Sequence, residues 1–180
     1  MTLRTEEYCI LYDTREQDIL IPSVLAHKGI LTKREKIDTG DYRIMYKNGY
    51  MPPVTVERKA CIDELIGNIL DNRKDENGNN RFIREILRSK EEGLKFYLLI
   101  QDKDYYKKLI TGRYLSRVNK NAISGMIMSL TAKYPWVHIV ACDREISPSM
   151  VHKILYYELR EELKKKWLIY RRSRQIADSF

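Results

Sequence analysis

Three side chains set the chemical question: Asp41, directly after Gly40, and Glu57 and Lys59, which flank Arg58 in the triplet Glu57-Arg58-Lys59. Residues two apart on a strand face the same way, so a strand through the triplet presents Glu57 and Lys59 together. Arg58 turns to the other side, where it can brace the site from behind. Opposed strands on either side of a turn bring Asp41 close to Glu57. Two acids and an amine in one space suit a divalent cation, because Mg²⁺ takes one or two carboxylates and fills its remaining positions with phosphate oxygens and water. The chemistry that follows is phosphodiester hydrolysis, which needs a nucleophilic water near neutral pH and neutralisation of charge on the phosphoryl oxygens. A metal held by Asp41 and Glu57 meets both needs, and Lys59 can orient the water or stabilise the developing charge. Asp13 and Glu16, at the end of the first apolar run, are placed to add outer ligands or a second metal. Asp63, near the start of the next helix, is expected to face back toward the cluster.

The elements that position these groups can be read from periodicity. Tyr8 to Asp13 is a short apolar run ending in an acid, which fits a buried strand, and Gln17 to Lys28 carries Ile19, Leu20, Val24 and Leu25 at helical spacing before Gly29. Leu31 to Ile37 alternates apolar and charged residues; Tyr42 to Tyr46 and Val54 to Arg58 read as a hairpin around Asn48-Gly49. Ile62 to Leu70 is a short helix. Asp71 to Asn80 has too little apolar content to pack and is expected to be the most mobile part of the chain. A helix from Arg81 to Lys90, a central strand from Lys95 to Gln101, an apolar helix from Ala122 to Leu130 and a last strand from Trp136 to Ala141 follow. Ser147-Pro148 opens a long helix through Leu155, Leu159, Leu163 and Trp167, with Ser147 as its cap. That stripe is either core or a dimer contact.

At 180 residues and 43% hydrophobic composition, the chain supports one sizeable core, so a single domain over residues 1–180 is expected, with its core at about 7–145 and the terminal helix at about 148–171. No apolar run approaches the roughly 18 residues of a membrane span, and Arg4, Glu6 and Glu7 stand where a signal peptide would be apolar. The expectation is an intracellular protein with no membrane partner. Cys9, Cys61 and Cys142 are read as reduced thiols, and His27, His138 and His152 as structural or surface residues apart from the acids. The net charge of +8 is unevenly spread. Residues 1–100 balance 17 Lys and Arg against 17 Asp and Glu, whereas residues 101–180 carry 16 against 8. A basic half beside an acid-rich half suits a protein that holds a polyanion while presenting carboxylates to a metal. Tyr105, Tyr106, Lys107, Lys108, Arg113, Tyr114, Arg117 and Lys120 interleave aromatics with bases and are candidate DNA contacts, as are Lys164 to Lys166 and Arg171-Arg172.

The order strand acid, turn acid, strand with Glu-x-Lys, helix acid matches the active-site layout of restriction-endonuclease-like enzymes. Gly40-Asp41, Glu57-Arg58-Lys59 and Asp63 resemble, without a gap in spacing, the signature of the XPF nuclease family. Asp13-Thr14-Arg15-Glu16, the Ile21-Pro22-Ser23 helix and the segment Tyr97-Leu98-Leu99-Ile100 extend that likeness over about residues 8 to 101. The resemblance implies an α/β fold with a mixed central sheet flanked by helices. It implies metal binding and phosphodiester cleavage by the residues matching Asp13, Asp41, Glu57, Lys59 and Asp63, with Mg²⁺ or Mn²⁺ as cofactor. The substrates it implies are flaps, forks and junctions, in DNA repair or recombination, and it implies pairing through the nuclease domain. Family members usually carry a tandem helix-hairpin-helix module, and no Gly-hydrophobic-Gly hairpin is found here. A homodimer or a partner chain bearing that module is therefore the expected assembly. Two further readings fit the chain: a catalytically silent DNA-binding or scaffolding partner, and a dimeric Holliday-junction resolvase with the same chemistry.

Overall fold

The computed structural model describes residues 1–177, with side chains through Arg171; Arg172, half of the Arg171-Arg172 pair, lies outside the described side chains. Six strands form one mixed sheet in the order β2-β1-β3-β4-β5-β6. The strands are β1 (Tyr8–Asp13), β2 (Leu31–Glu35), β3 (Tyr42–Tyr46), β4 (Val54–Lys59), β5 (Lys95–Ile100) and β6 (Val137–Ala141). β3 runs antiparallel to β1 and β4, and the remaining neighbours pair in parallel. The helices are α1 (Leu20–His27), α2 (Ile62–Ile69), α3 (Arg81–Glu91), α4 (Tyr105–Thr111), α5 (Lys120–Lys133) and α6 (Ser147–Ala177).

Helices cover both faces, as a largely parallel sheet requires, because its apolar strands must be buried on two sides. Strand periodicity divides the core. Val54 and Val56 of β4, Ile10 of β1 and Ile44 of β3 pack with Ile21 and Leu25 of α1 and Val151, Leu155 and Leu159 of α6. Phe96, Leu98 and Ile100 of β5 face the opposite way, onto α2, α3, α4 and α5 through Ile62, Leu65, Phe82, Ile86, Tyr105, Leu109, Ile123 and Ile127. The α6 stripe is therefore core at Leu155 and Leu159, whereas Trp167 is more than half exposed. Among the described residues, no helix is long and apolar enough to cross a membrane.

Four local expectations change. Helix α1 starts at Leu20 rather than Gln17, because the Asp18 carboxylate accepts the Leu20 amide at 3.0 Å and Glu16 accepts the Asp18 amide at 2.9 Å; this tight turn leaves Ile19 exposed. Tyr105 to Thr111 forms a helix of its own that buries Tyr105 and Leu109, so Tyr105 is a core residue rather than a stacking surface. Ser147 Oγ donates to Arg144 O at 2.7 Å and accepts from Gln101 Nε2 at 2.7 Å, tying α6 to the end of β5 instead of capping helix amides. The segment from Asp71 to Asn80 carries local hydrogen bonds that its composition does not announce. Asp75 accepts the amides of Asn77 and Asn79, Lys74 bridges Asn80, and buried Asn80 caps α3 at Ile83 while its amide bonds the Asn68 and Ile69 carbonyls at the end of α2.

Candidate active site

The site forms where β3 begins and β4 ends, at the centre of the sheet. Asp41 is fixed by the ladder: its amide donates to Val56 O and its carbonyl accepts from the Asp13 amide, each at 2.8 Å. Gly40 makes this approach possible. It sits at φ +80°, and a Cβ there would come within 2.1 Å of Thr55 Oγ1, so both the backbone conformation and the space exclude a side chain. The Thr55 hydroxyl itself donates to Thr39 O at 2.8 Å, and the Gly40 amide donates to Glu85 Oε1 at 3.1 Å. The turn is thus held from two sides.

Parity along β4 sorts the triplet as its spacing predicts. Arg58 lies on the face of Val54 and Val56 and forks onto Glu16, with Nε–Oε2 at 2.8 Å and Nη2–Oε1 at 2.9 Å, while Nη1 reaches Gln101 at 3.2 Å. Burial opposes both charges, yet their contact wins: Arg58 is held above the usual arginine value, and Glu16, also bonded by Arg58, the Asp18 amide and Tyr42, below the usual carboxylate value. Glu57 and Lys59 lie on the other face, both buried, with Lys59 Nζ 2.6 Å from Glu57 Oε1 and over the Phe82 ring at 5.3 Å. Burial works against the Lys59 ammonium, but Glu57 outweighs it and keeps its pKa above the ordinary lysine value.

The two acids are electrostatically strained. Burial pushes Asp41 up to about 6, against the opposing Arg58 amide bond to Oδ2 at 2.8 Å, with Glu16 and Glu85 adding repulsion. Burial also raises Glu57 well above its usual value, and the Asp41 charge adds to it. A cleft of about 570 Å³ opens here, lined by Asp41, Glu57, Arg58 and Lys59, by Arg15 and Glu16 on one side, and by Glu64, Asp71, Arg73, Arg81, Phe82 and Glu85 on the other.

The ERCC4 domain family model matches residues 12–148, about three quarters of the chain. The chain belongs to the ERCC4 domain family. Among solved structures it is similar to XPF from Aeropyrum pernix, with a TM-score of 0.62 and 15% identity over 90% of this chain and 71% of that one. It is also similar to the complex of that protein with DNA, with a TM-score of 0.60 and 15% identity over 85% of this chain and 66% of the other. The mixed six-stranded sheet flanked by helices is the XPF nuclease fold. No curated protein matches the chain.

Within this ERCC4 domain the predicted residues separate. Asp41, Glu57 and Lys59 meet in the cleft, and Glu16 and Arg58 line its other part as a closed fork. Asp13 is fully buried and its carboxylate is already engaged. Oδ1 accepts the Arg15 amide and Nε at 2.7 Å, and Oδ2 accepts the Ile37 amide at 2.7 Å and Arg15 Nη2 at 3.3 Å. These bonds hold its pKa below the usual value against the opposing effect of burial, and they make it a clamp on the β1 and β2 ends. Asp63 does not face the cluster. Buried Ile62, Leu65 and Ile66 fix the rotation of α2, so Glu64, Gly67 and Asn68 line the cleft at the i, i+3 and i+4 spacing of one helical face, with Asp71 just beyond the helix. Asp63 instead accepts the Leu115 amide at 2.6 Å.

Among the described residues, no three His, Cys, Asp or Glu side chains converge as a ready-made metal cage, and Asp13 and Glu16, expected as outer ligands or holders of a second metal, are bonded to Arg15 and Arg58. Glu64 and Glu85 were missed by sequence reasoning. Glu64 heads a polar stripe visible in hindsight, whereas Glu85 reaches Gly40 across 45 residues and has no local signal. Of the candidate DNA contacts, Lys107, Arg113, Arg117 and Lys120 are exposed, and Lys108 is engaged by Asp102 at 2.8 Å.

Proposed function

We propose that this ERCC4 domain is a divalent-metal-dependent DNA endonuclease acting at branched structures such as flaps, forks or junctions. The observation that carries the reading is the meeting of two carboxylates and one amine in an open cleft, with both acids raised toward neutrality by burial first and by neighbouring acids second. Such a pair is relieved by a cation, and two carboxylates beside open solvent match what Mg²⁺ or Mn²⁺ asks of a protein. Asp41 and Glu57 would hold the ion, which when bound supplies a water of lowered pKa and neutralises charge on the phosphoryl oxygens.

The protein's own groups supply the rest. The Arg58 amide fixes the Asp41 carboxylate, leaving one oxygen toward the cleft. Lys59, now bonded to Glu57, is positioned to transfer that contact to a phosphate oxygen and stabilise its charge in the transition state. Arg15, Arg73 and Arg81 at the rim offer guanidinium groups to flanking phosphates, and the exposed bases of α4 and α5 extend the positive surface. The similarity to a fold also solved with DNA supports the substrate class.

The test is a cleavage panel: labelled flaps, forks, four-way junctions, duplexes and single strands, with Mg²⁺, Mn²⁺ or EDTA. Metal-dependent products that disappear in Asp41→Asn are expected. Products that persist in EDTA, or in that variant, would end this reading.

A further inference from the structure

We infer that Asp63 is a positioning residue that latches the loop between α4 and α5, holding its two exposed arginines for contact with the substrate backbone. The carboxylate stands one helical face away from the cleft-lining residues of α2 and accepts the Leu115 amide at 2.6 Å, across 52 residues. It is the short bond expected of a charged acceptor. Leu115 itself is 88% exposed, so burial of that side chain does nothing to hold the loop down. A second carboxylate ties the same unit: Asp102 accepts Lys108 Nζ at 2.8 Å and the Ile62 amide at 3.3 Å, joining α4 to the first turn of α2.

Arg113 and Arg117 lie on either side of Leu115 and are exposed. Guanidinium groups held on a fixed loop lose less freedom on meeting phosphates than the same groups on a loose one. An acid at this position thus acts through the loop rather than on the reacting phosphate. The inference deepens the nuclease reading, since the substrate-binding role rests on it.

The first measurement needs no activity. In the intact protein, Asp63→Ala should speed hydrogen exchange at the Leu115 amide on the order of tenfold or more and should speed tryptic cleavage after Arg113 and Arg117. Asp63→Asn should resemble the parent, because an amide oxygen can still accept that hydrogen. Leu115→Pro, which deletes the donor from the other side, should reproduce the faster tryptic cleavage of Asp63→Ala and carries the test if the alanine variant does not fold. With a labelled branched DNA, Asp63→Ala should raise KM several-fold with little change in kcat, and Asp63→Asn should restore KM. Unchanged loop protection in both Asp63→Ala and Leu115→Pro would overturn the latch, whether or not the protein cuts DNA. An Asp63→Asn protein that keeps the protected loop but loses kcat would assign the carboxylate to the reaction instead. A protected loop in a protein that cuts nothing would count against the nuclease reading and leave the latch standing.

Discussion

Replacing Asp41 by Asn should make the protein more stable while removing its activity. Burial and neighbouring acids raise the Asp41 pKa from 3.8 to about 6. A carboxyl group that holds its proton more tightly folded than unfolded penalises the native state as pH rises through that window. The penalty is absent below about pH 4 and full above about pH 6. The interval corresponds to about 3 kcal/mol at most, and relaxation of the coupled Glu57 and Lys59 reduces it to between about 1 and 3 kcal/mol. Asn keeps the side-chain oxygen that accepts the Arg58 amide, so little is lost in exchange. In a domain of this size that gain raises Tm by roughly 3 to 8 °C. The assay is thermal unfolding of parent and variant in EDTA from pH 4 to pH 8. The difference should be largest near pH 7.5 and vanish near pH 4. Adding Mg²⁺ or Mn²⁺ should then stabilise the parent and leave the variant unmoved, because only a native-state site gains from ligand. A variant less stable at pH 7.5, or a gain that does not change with pH, would refute the electrostatic account of the site.

The other expectations concern the scaffold and the amine. Gly40→Ala should cost about 3 kcal/mol or more, from left-handed strain and the clash with Thr55, and pairing it with Thr55→Gly should recover the steric part alone, as read by chemical denaturation. Arg58→Met should destabilise by about 3 to 5 kcal/mol by leaving buried Glu16 without its partner, and Glu16→Gln in the same chain should return most of it. Lys59→Met should lower kcat by about 10² to 10³ with KM changed only a few-fold, measured on whichever branched DNA the parent cuts best; a pure KM effect would remove Lys59 from the transition state.

How much of this was legible beforehand follows from the range of each determining interaction. The opposite facing of Arg58 against Glu57 and Lys59 depends only on the two-residue period of a strand, and it came through intact. The placement of Asp41 depends on a turn of known chemistry, and it too was readable. Asp63 was misplaced because a helix carries several faces. Which one meets the cleft is decided by where Ile62, Leu65 and Ile66 find their core, a long-range fact. Asp13 looked like a ligand because an acid ending a buried strand needs a partner. Its partners proved to be Arg15 two residues away and an amide 24 residues away, neither of which a strand pattern announces. The segment from Asp71 to Asn80 is mostly exposed, as its polar composition implies, but Asn80 and Asp75 organise it through hydrogen bonds that composition does not record.

These cases share a rule about where chemistry can reside. On one face of β4 the Arg58–Glu16 pair is satisfied in every direction: the fork is closed, Tyr42, Gln101 and the Asp18 amide complete it, and both groups are driven further into their charged forms. Such a pair has nothing left to offer a substrate. On the other face of the same strand, Glu57 and Lys59 share a single bond, while burial and neighbouring acids push Asp41 and Glu57 toward neutrality beside open solvent. The strand thus separates an ionic pair that holds the molecule together from an amine and acids with unmet electrostatic demand, which in the proposed function a cation and a phosphate would satisfy. An acid's residue type says little about which of these it will be; the number of donors already pointing at it decides, and by that measure Asp13 and Glu16 are engaged within the scaffold, whereas Asp41 and Glu57 are the acids that the proposed reaction would use.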